Sequence, residues 1–191
     1  KIFFADDDFQ KSFDIAPYQY NMIRGIDFYN HVHSYLQECE HTDMIIGDIK
    51  TCVDQGDHAS LETSSGHFQA EYIFKSFYKK IDFSQANFVW QHFKGWIVET
   101  KEDSFKDDEA IFMDFRVEQG DDTRFLYVLP IDRKKALVEI AIFSGDIPND
   151  DFYDPFLEKY IKEILKISSY TITEEEIGAI PMTDYNFDNK F

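Results

Sequence analysis

The run Ala136-Leu137-Val138-Glu139-Ile140-Ala141-Ile142-Phe143 decides how this chain is read. Strand alternation sorts it into two faces, with Ala136, Val138, Ile140 and Ile142 on one and Leu137, Glu139, Ala141 and Phe143 on the other. Glu139 is the one ionisable group in an otherwise apolar segment. A carboxyl held among Leu, Ala and Phe neighbours resists ionising, because burial disfavours the charged form, and it can remain a proton donor near neutral pH. The same pattern also suits a glutamate that pairs with a basic residue on the next strand or reaches solvent at a sheet edge.

Working outward, period-two segments at 88–100, 110–117, 124–129 and 170–180 read as further strands, separated by charged or glycine-bearing turns. A helix is predicted over 151–166, where Phe152, Phe156, Tyr160, Ile161, Ile164 and Leu165 make an apolar stripe. Acidic residues gather at its start, where the helix dipole favours them. Upstream, residues 1–20 read as irregular or edge-strand material, and Ile26, Phe28, Tyr29, Val32, Tyr35 and Leu36 recur at the three- and four-residue steps of a helix ending near Cys39. Met44-Ile45-Ile46 reads as a buried strand, and 58–63 and 68–74 as short strands beside the turn signals Asp54-Gln55-Gly56-Asp57 and Ser64-Ser65-Gly66. Composition shifts around 76–85, the expected seam. The expectation is an α+β chain whose second half is a twisted, mostly antiparallel sheet with one helix packed on it.

With 191 residues, 43% hydrophobic content and 20 phenylalanines, the chain can bury a sizeable core. Its 19 basic and 37 acidic side chains give a formal charge of -18, which repels phosphate backbones and argues against a nucleic-acid partner. Lys79-Lys80 and Arg133-Lys134-Lys135 read as solvated turns. Cys39 and Cys52 form no Cys-x-x-Cys pair, His31 and His33 point to different sides of a helix, and no metal is expected. No apolar run approaches the roughly 20 residues that cross a bilayer, so a cytoplasmic location is expected. The glycines never form Gly-x-Gly, and no P-loop or Gly-x-Ser-x-Gly elbow is present.

Two further constellations invite chemistry. Alternation in 110–117 puts Phe112, Asp114 and Arg116 on one face, as a structural ion pair or as an electrostatic feature of a pocket. Trp90, His92, Lys94 and Trp96 also alternate onto one face. Two indoles flanking a histidine either line a cavity, stabilising a cation through their ring quadrupoles, or are plain core.

In order, Gln91-His92-Phe93-Lys94-Gly95-Trp96, Phe112-Met113-Asp114-Phe115-Arg116, Phe125-Leu126-Tyr127-Val128-Leu129-Pro130, Ala136-Leu137-Val138-Glu139 and Gly178-Ala179-Ile180-Pro181-Met182-Thr183-Asp184 resemble the central motifs of the lycopene cyclase family of FAD-dependent proteins. Ile26-Asp27-Phe28-Tyr29 and Ala70-Glu71-Tyr72-Ile73-Phe74 also resemble that family. The resemblance implies an FAD-binding domain interrupted by an antiparallel substrate domain, as in aromatic hydroxylases and geranylgeranyl reductases. Residues 1–75 would be a remnant of the FAD-binding domain, 76–181 the substrate domain, and 182–191 the start of the return. Both FAD phosphate-binding ends would fall outside these residues, which makes the chain an internal piece expected to be inactive alone.

The reaction implied is a redox-neutral cyclisation of the linear polyene lycopene to β-ionone ends. Reduced FAD would stabilise the cationic intermediate, and a nicotinamide cofactor would serve only as reductant. On this resemblance Glu139 is the acid or its partner, and Asp114 and Arg116 shape the acidic site. Trp90, His92, Trp96, Phe112 and Tyr127 line the substrate pocket. Ile45 and Ile46 lie near the adenosine side of FAD, and Pro181, Met182 and Thr183 near the flavin ring. Because lycopene lives in lipid, peripheral membrane contact is expected. The chain departs from the family at one place. Many cyclases follow the residue matching Glu139 with a second acid and a threonine, where this chain has Ile140 and Ala141. That leaves room for an FAD-dependent hydroxylase or isoprenoid reductase, or for a non-catalytic carrier of apolar ligands.

Overall fold

The computed structural model describes residues 1–76 and 86–186. The chain divides into two compact units, one of Lys1–Met22 with Asp82–Phe191 and the other of Ile23–Ile81. The expected seam at 76–85 and the Lys79-Lys80 pair fall almost wholly outside the described residues.

The larger unit is built on one seven-stranded sheet. Its strands are β1 (Ile2–Ala5), β2 (Gln10–Phe13), β6 (Phe88–Glu99), β7 (Ala110–Asp114), β8 (Thr123–Pro130), β9 (Lys135–Ser144) and β10 (Thr171–Thr183), in the order β10-β6-β9-β8-β7-β1-β2. Every pairing is antiparallel except β1 with β7, so the sheet is mixed and, as expected, mostly antiparallel. Residues 1–22 thus join the large sheet and do not group with 23–75. The cause is local. Ile2-Phe3-Phe4-Ala5 offers an apolar strand to the β7 edge, Ala5 is buried, and the Asp6 carboxylate accepts hydrogen bonds from the Asp8 and Phe9 amides (2.8 and 2.6 Å) to turn the chain into β2.

A 3-10 turn (Asp150–Phe152) leads into helix α2 (Asp154–Glu163), which carries Pro155 in its first turn, where a missing N–H costs nothing. Tyr153, Leu157, Tyr160 and Ile161 follow helical spacing and are at most 2% exposed. They close over Trp96 and Val98 of β6, Leu126 and Val128 of β8, and Ala136, Val138, Ile140 and Ile142 of β9. That layer is the core, and it covers one face of the sheet.

The smaller unit holds helix α1 (Gly25–Gln37) and the antiparallel sheet β3-β4-β5, with β3 at Ile49–Asp54, β4 at Ala59–Thr63 and β5 at Gly66–Ala70. Gly56 (φ 97°) and Gly66 (φ 145°) occupy turn conformations open to glycine. The structure corrects the strand expected at Met44-Ile45-Ile46. These residues are irregular and exposed, Ile46 at 96%. The Ser65 hydroxyl donates to the Ile46 carbonyl (2.6 Å), and a Cβ at Gly47 would meet that same side chain at 2.6 Å, so this stretch is anchored by a serine turn and not by a ladder. Among the described residues no helix is long and apolar enough to cross a membrane.

Candidate functional site

Glu139 lies mid-strand in β9, paired with Gly95 of β6 on one side and Tyr127 of β8 on the other. It is half-buried on the sheet face away from α2, with Leu137, Ala141 and Phe143. That face is paved with rings. Phe112 meets Phe4 (5.7 Å between centroids), Tyr20 (5.4 Å) and Tyr127 (5.8 Å), and Phe125 meets Tyr127 (5.3 Å) and Phe143 (6.1 Å). The array is continuous and touches the Glu139 rung through Tyr127.

Burial pushes the Glu139 carboxyl up, and a hydrogen bond to the Glu176 carboxyl together with its charge pushes it further, to about 8 from an ordinary 4.5. Burial likewise raises the hydroxyls of Tyr127 and Tyr20, with Glu139 adding to both. At neutral pH Glu139 therefore keeps its proton. The folded state holds that proton where the unfolded chain releases it, so stability is full below about pH 4.5 and falls as pH rises through about 8. Across that window the expected loss is about 2–4 kcal/mol, and Glu139→Gln should flatten it in denaturant titrations run at several pH values.

Phe112 reaches this face only because β7 is bulged. Ile111 pairs with Val128 and Asp114 with Leu126, so two residues, Phe112 and Met113, stand opposite Tyr127 alone. The bulge overturns the expected alternation and separates Phe112 from Asp114. Asp114 turns to the helix side and is fully buried. There its carboxylate accepts from Arg116 Nε (2.9 Å), Arg116 Nη2 (2.6 Å) and the Tyr160 hydroxyl of α2 (2.6 Å). The Asp114 hydrogen bonds hold Arg116 charged, and burial beside Asp114 keeps Tyr160 protonated. Asp114 and Arg116, expected to shape the acid's surroundings, instead tie β7 to α2.

Trp90, His92 and Trp96 are also separated from Glu139. Their register with Ser144, Ile142 and Val138 places them on the helix side. His92 is buried between the Tyr153 hydroxyl (Nδ1, 2.7 Å) and the Ser144 hydroxyl (Nε2, 2.8 Å), and burial lowers its pKa. The cation that Trp96 meets is Lys94, 5.9 Å from its ring. Burial disfavours that ammonium, but Asp154 (2.5 Å) and Glu175 (3.5 Å) outweigh it and keep Lys94 charged. The expectation of one pocket shared by these residues and Glu139 fails because β6 presents them to the opposite side of the sheet.

Of the residues expected at the site, the structure brings Glu139, Phe112 and Tyr127 together. Met182 shares their face farther along β10, opposite Val89. Pro181 and Thr183 alternate to the helix side, and the Thr183 hydroxyl donates to the Asn87 carbonyl (2.8 Å). Ile45 and Ile46 stand exposed in the other unit. Two members were not read from the sequence. Tyr20 comes from a loop after β2, and Glu176 from an acidic run whose register against β6 no local pattern reveals.

The described residues do not make a flavin site by themselves. The glycine with the tightest serine contacts, Gly47, is filled by Ser64 and Ser65, and Ile45 and Ile46 lie outside any strand.

The chain is thus an α+β protein, a helix-backed sheet whose other face sets a proton-holding carboxyl among aromatic rings. The chain belongs to the lycopene cyclase family, since the family model described as "Lycopene cyclase protein" matches residues 2–191. Comparison with curated proteins finds no match. Among solved structures, the crystal structure of the tetracycline destructase Tet(51) is similar at a TM-score of 0.37 and 7% identity, over 72% of this chain and 40% of that one. The chain thus spans less than half the length of that protein.

Proposed function

We propose that this chain is the substrate-handling part of a lycopene β-cyclase-type isomerase, in which Glu139 protonates an apolar polyene laid against the aromatic face. The observation that supports this reading most is the Glu139 carboxyl, raised to about 8 on a face of phenylalanines and tyrosines. In the proposed step the Glu139 O–H bond breaks as a C–H bond forms at the terminal alkene, leaving a carbocation and a carboxylate. The π pair of an internal alkene then forms the C–C bond that closes a six-membered ring, and loss of a proton to a carboxylate restores an alkene. No electrons are exchanged, and the product is an isomer of the substrate. Ring quadrupoles of Phe112 and Tyr127 favour the cation while excluding water.

The proposal assigns the seven-stranded sheet to the substrate and residues 23–75 to the flavin side of an FAD-dependent hydroxylase-like fold, with reduced FAD as cofactor at the level of the family. It also includes a cytoplasmic location with peripheral lipid contact, because the substrate dissolves in the membrane. The test is to load the full-length protein with reduced FAD and incubate it with lycopene in lipid vesicles. Cyclic carotene is expected. No cyclic product from folded, flavin-loaded protein overturns the reading, and nicotinamide consumption coupled to substrate replaces it with an oxidoreductase.

A further inference from the structure

Gly95 of β6 stands between two acidic residues in one cross-strand row, paired with Glu139 of β9 on one side and Glu176 of β10 on the other. Neighbours in such a row share a sheet face, so both carboxyls rise on the side away from α2. With any side chain in the middle position they would be held apart. Here the middle position is empty of side chain, and Glu176 has folded into the gap. A Cβ built on Gly95 would meet Glu176 Cγ and Oε1 at 3.1 Å each, and Leu137 Cδ1 at 2.8 Å.

The neighbouring position in sequence does not offer a second acid to this face. Ile140 is fully buried beneath α2, so a carboxyl at 140 would enter the core on the opposite side of the sheet from Glu139. The partner comes across strands.

We propose that Glu176 is the positioning residue of this site, sharing one proton with Glu139 across the Gly95 gap, so that the acid is a carboxyl pair and not a single glutamic acid. The inference rests on the cyclase reading for its purpose but not for its test. A pair with one proton suits a reaction that gives a proton and later takes one back. When Glu139 donates, both carboxyls are ionised side by side, and their repulsion favours recapture of a proton from the ring cation. The other titratable groups facing Glu139 are Tyr127 of β8 and Tyr20, both neutral near pH 7. Glu174 shares the Glu176 face of β10, while Lys135 and Glu99 close the far end of the same sheet face and lie 4.0 Å from each other. Lys94, with Asp154 and Glu175, lies on the helix side.

The experiment follows the Glu139 carboxyl carbon by NMR through a pH titration of the 191-residue chain. In the parent, the Glu139 carbon should report two coupled steps. In Glu176→Gln the Glu139 midpoint should fall from about 8 toward the ordinary carboxylate range. Glu176→Asp keeps the charge but loses the reach across Gly95, and should behave like the glutamine variant. Gly95→Ala should uncouple the pair by filling the gap. An unmoved Glu139 midpoint in Glu176→Gln, or independent single steps in the parent, overturns the proposal. So does Glu176→Asp titrating like the parent, because the effect would then be one of edge charge and not of contact. In the loaded full-length protein, Glu176→Gln should shift the alkaline limb of the turnover profile to lower pH. Absence of any cyclic product from the parent would sink the cyclase reading while the titration still reads the pair. Cyclic product with an unmoved midpoint would sink the pair alone.

Discussion

Glu139→Gln should slow cyclisation roughly 100- to 10,000-fold while leaving polyene binding as it was, the usual weight of a positioned general acid. Glutamine keeps the shape of the side chain and can still hydrogen bond to Glu176, but its amide gives up no proton to an alkene. On the proposed reading, affinity for a polyene would come from the rings of Phe112 and Tyr127, which the substitution does not touch. Turnover and binding therefore separate, and parallel assays of product formation and ligand fluorescence quenching read both. Turnover retained in the variant would place the acid elsewhere. Binding without turnover in parent and variant alike would make the protein a carrier.

Asp114→Ala should cost about 3–5 kcal/mol of folding stability, the range for breaking a buried charge pair from one side. Asp114 has no exposed surface and satisfies four donors, three from Arg116 (its backbone N–H, Nε and Nη2) and the hydroxyl of Tyr160. Its removal leaves the Arg116 guanidinium, 20% exposed, without its carboxylate and strands the Tyr160 hydroxyl under α2. Tyr160→Phe removes one of the four bonds and should cost only about 1 kcal/mol. Urea denaturation of the chain measures both. The Glu139 titration should stay where it is in either variant, since Asp114 works on the opposite side of the sheet. A shift there would reconnect Asp114 to the site.

Much of the larger unit was legible because its strands carry a period-two pattern strong enough to survive without context. The two faces of 136–143 are those alternation assigns, and the strands at 88–100, 124–129 and 170–180 and the helix near 151–166 all exist with shifted ends. The helix stripe was readable for the same reason, since Tyr160 and Ile161 recur at the step that one covered face requires. The smaller unit was less legible. Three apolar residues at 44–46 carry too little period to distinguish a strand from a loop, and a serine hydroxyl settled the matter. Strand β3, at Ile49–Asp54, has mostly exposed side chains and so announced itself by no hydrophobic alternation.

By itself the sequence determined which side chains share a strand face: Glu139 with Leu137, Ala141 and Phe143, and Trp90 with His92, Lys94 and Trp96. Alternation is a property of one chain segment, and it needs nothing from the rest of the molecule. Only the tertiary structure decided which face meets which. Register between strands far apart in sequence put Glu139 and the two indoles on opposite sides, and a bulge in β7 parted Phe112 from Asp114. Pairing across Gly95 brought Glu176 to Glu139 from 37 residues away in the chain. Register is set by the packing of whole faces against α2 and against one another, a free energy shared among many residues and written in no single stretch of the chain.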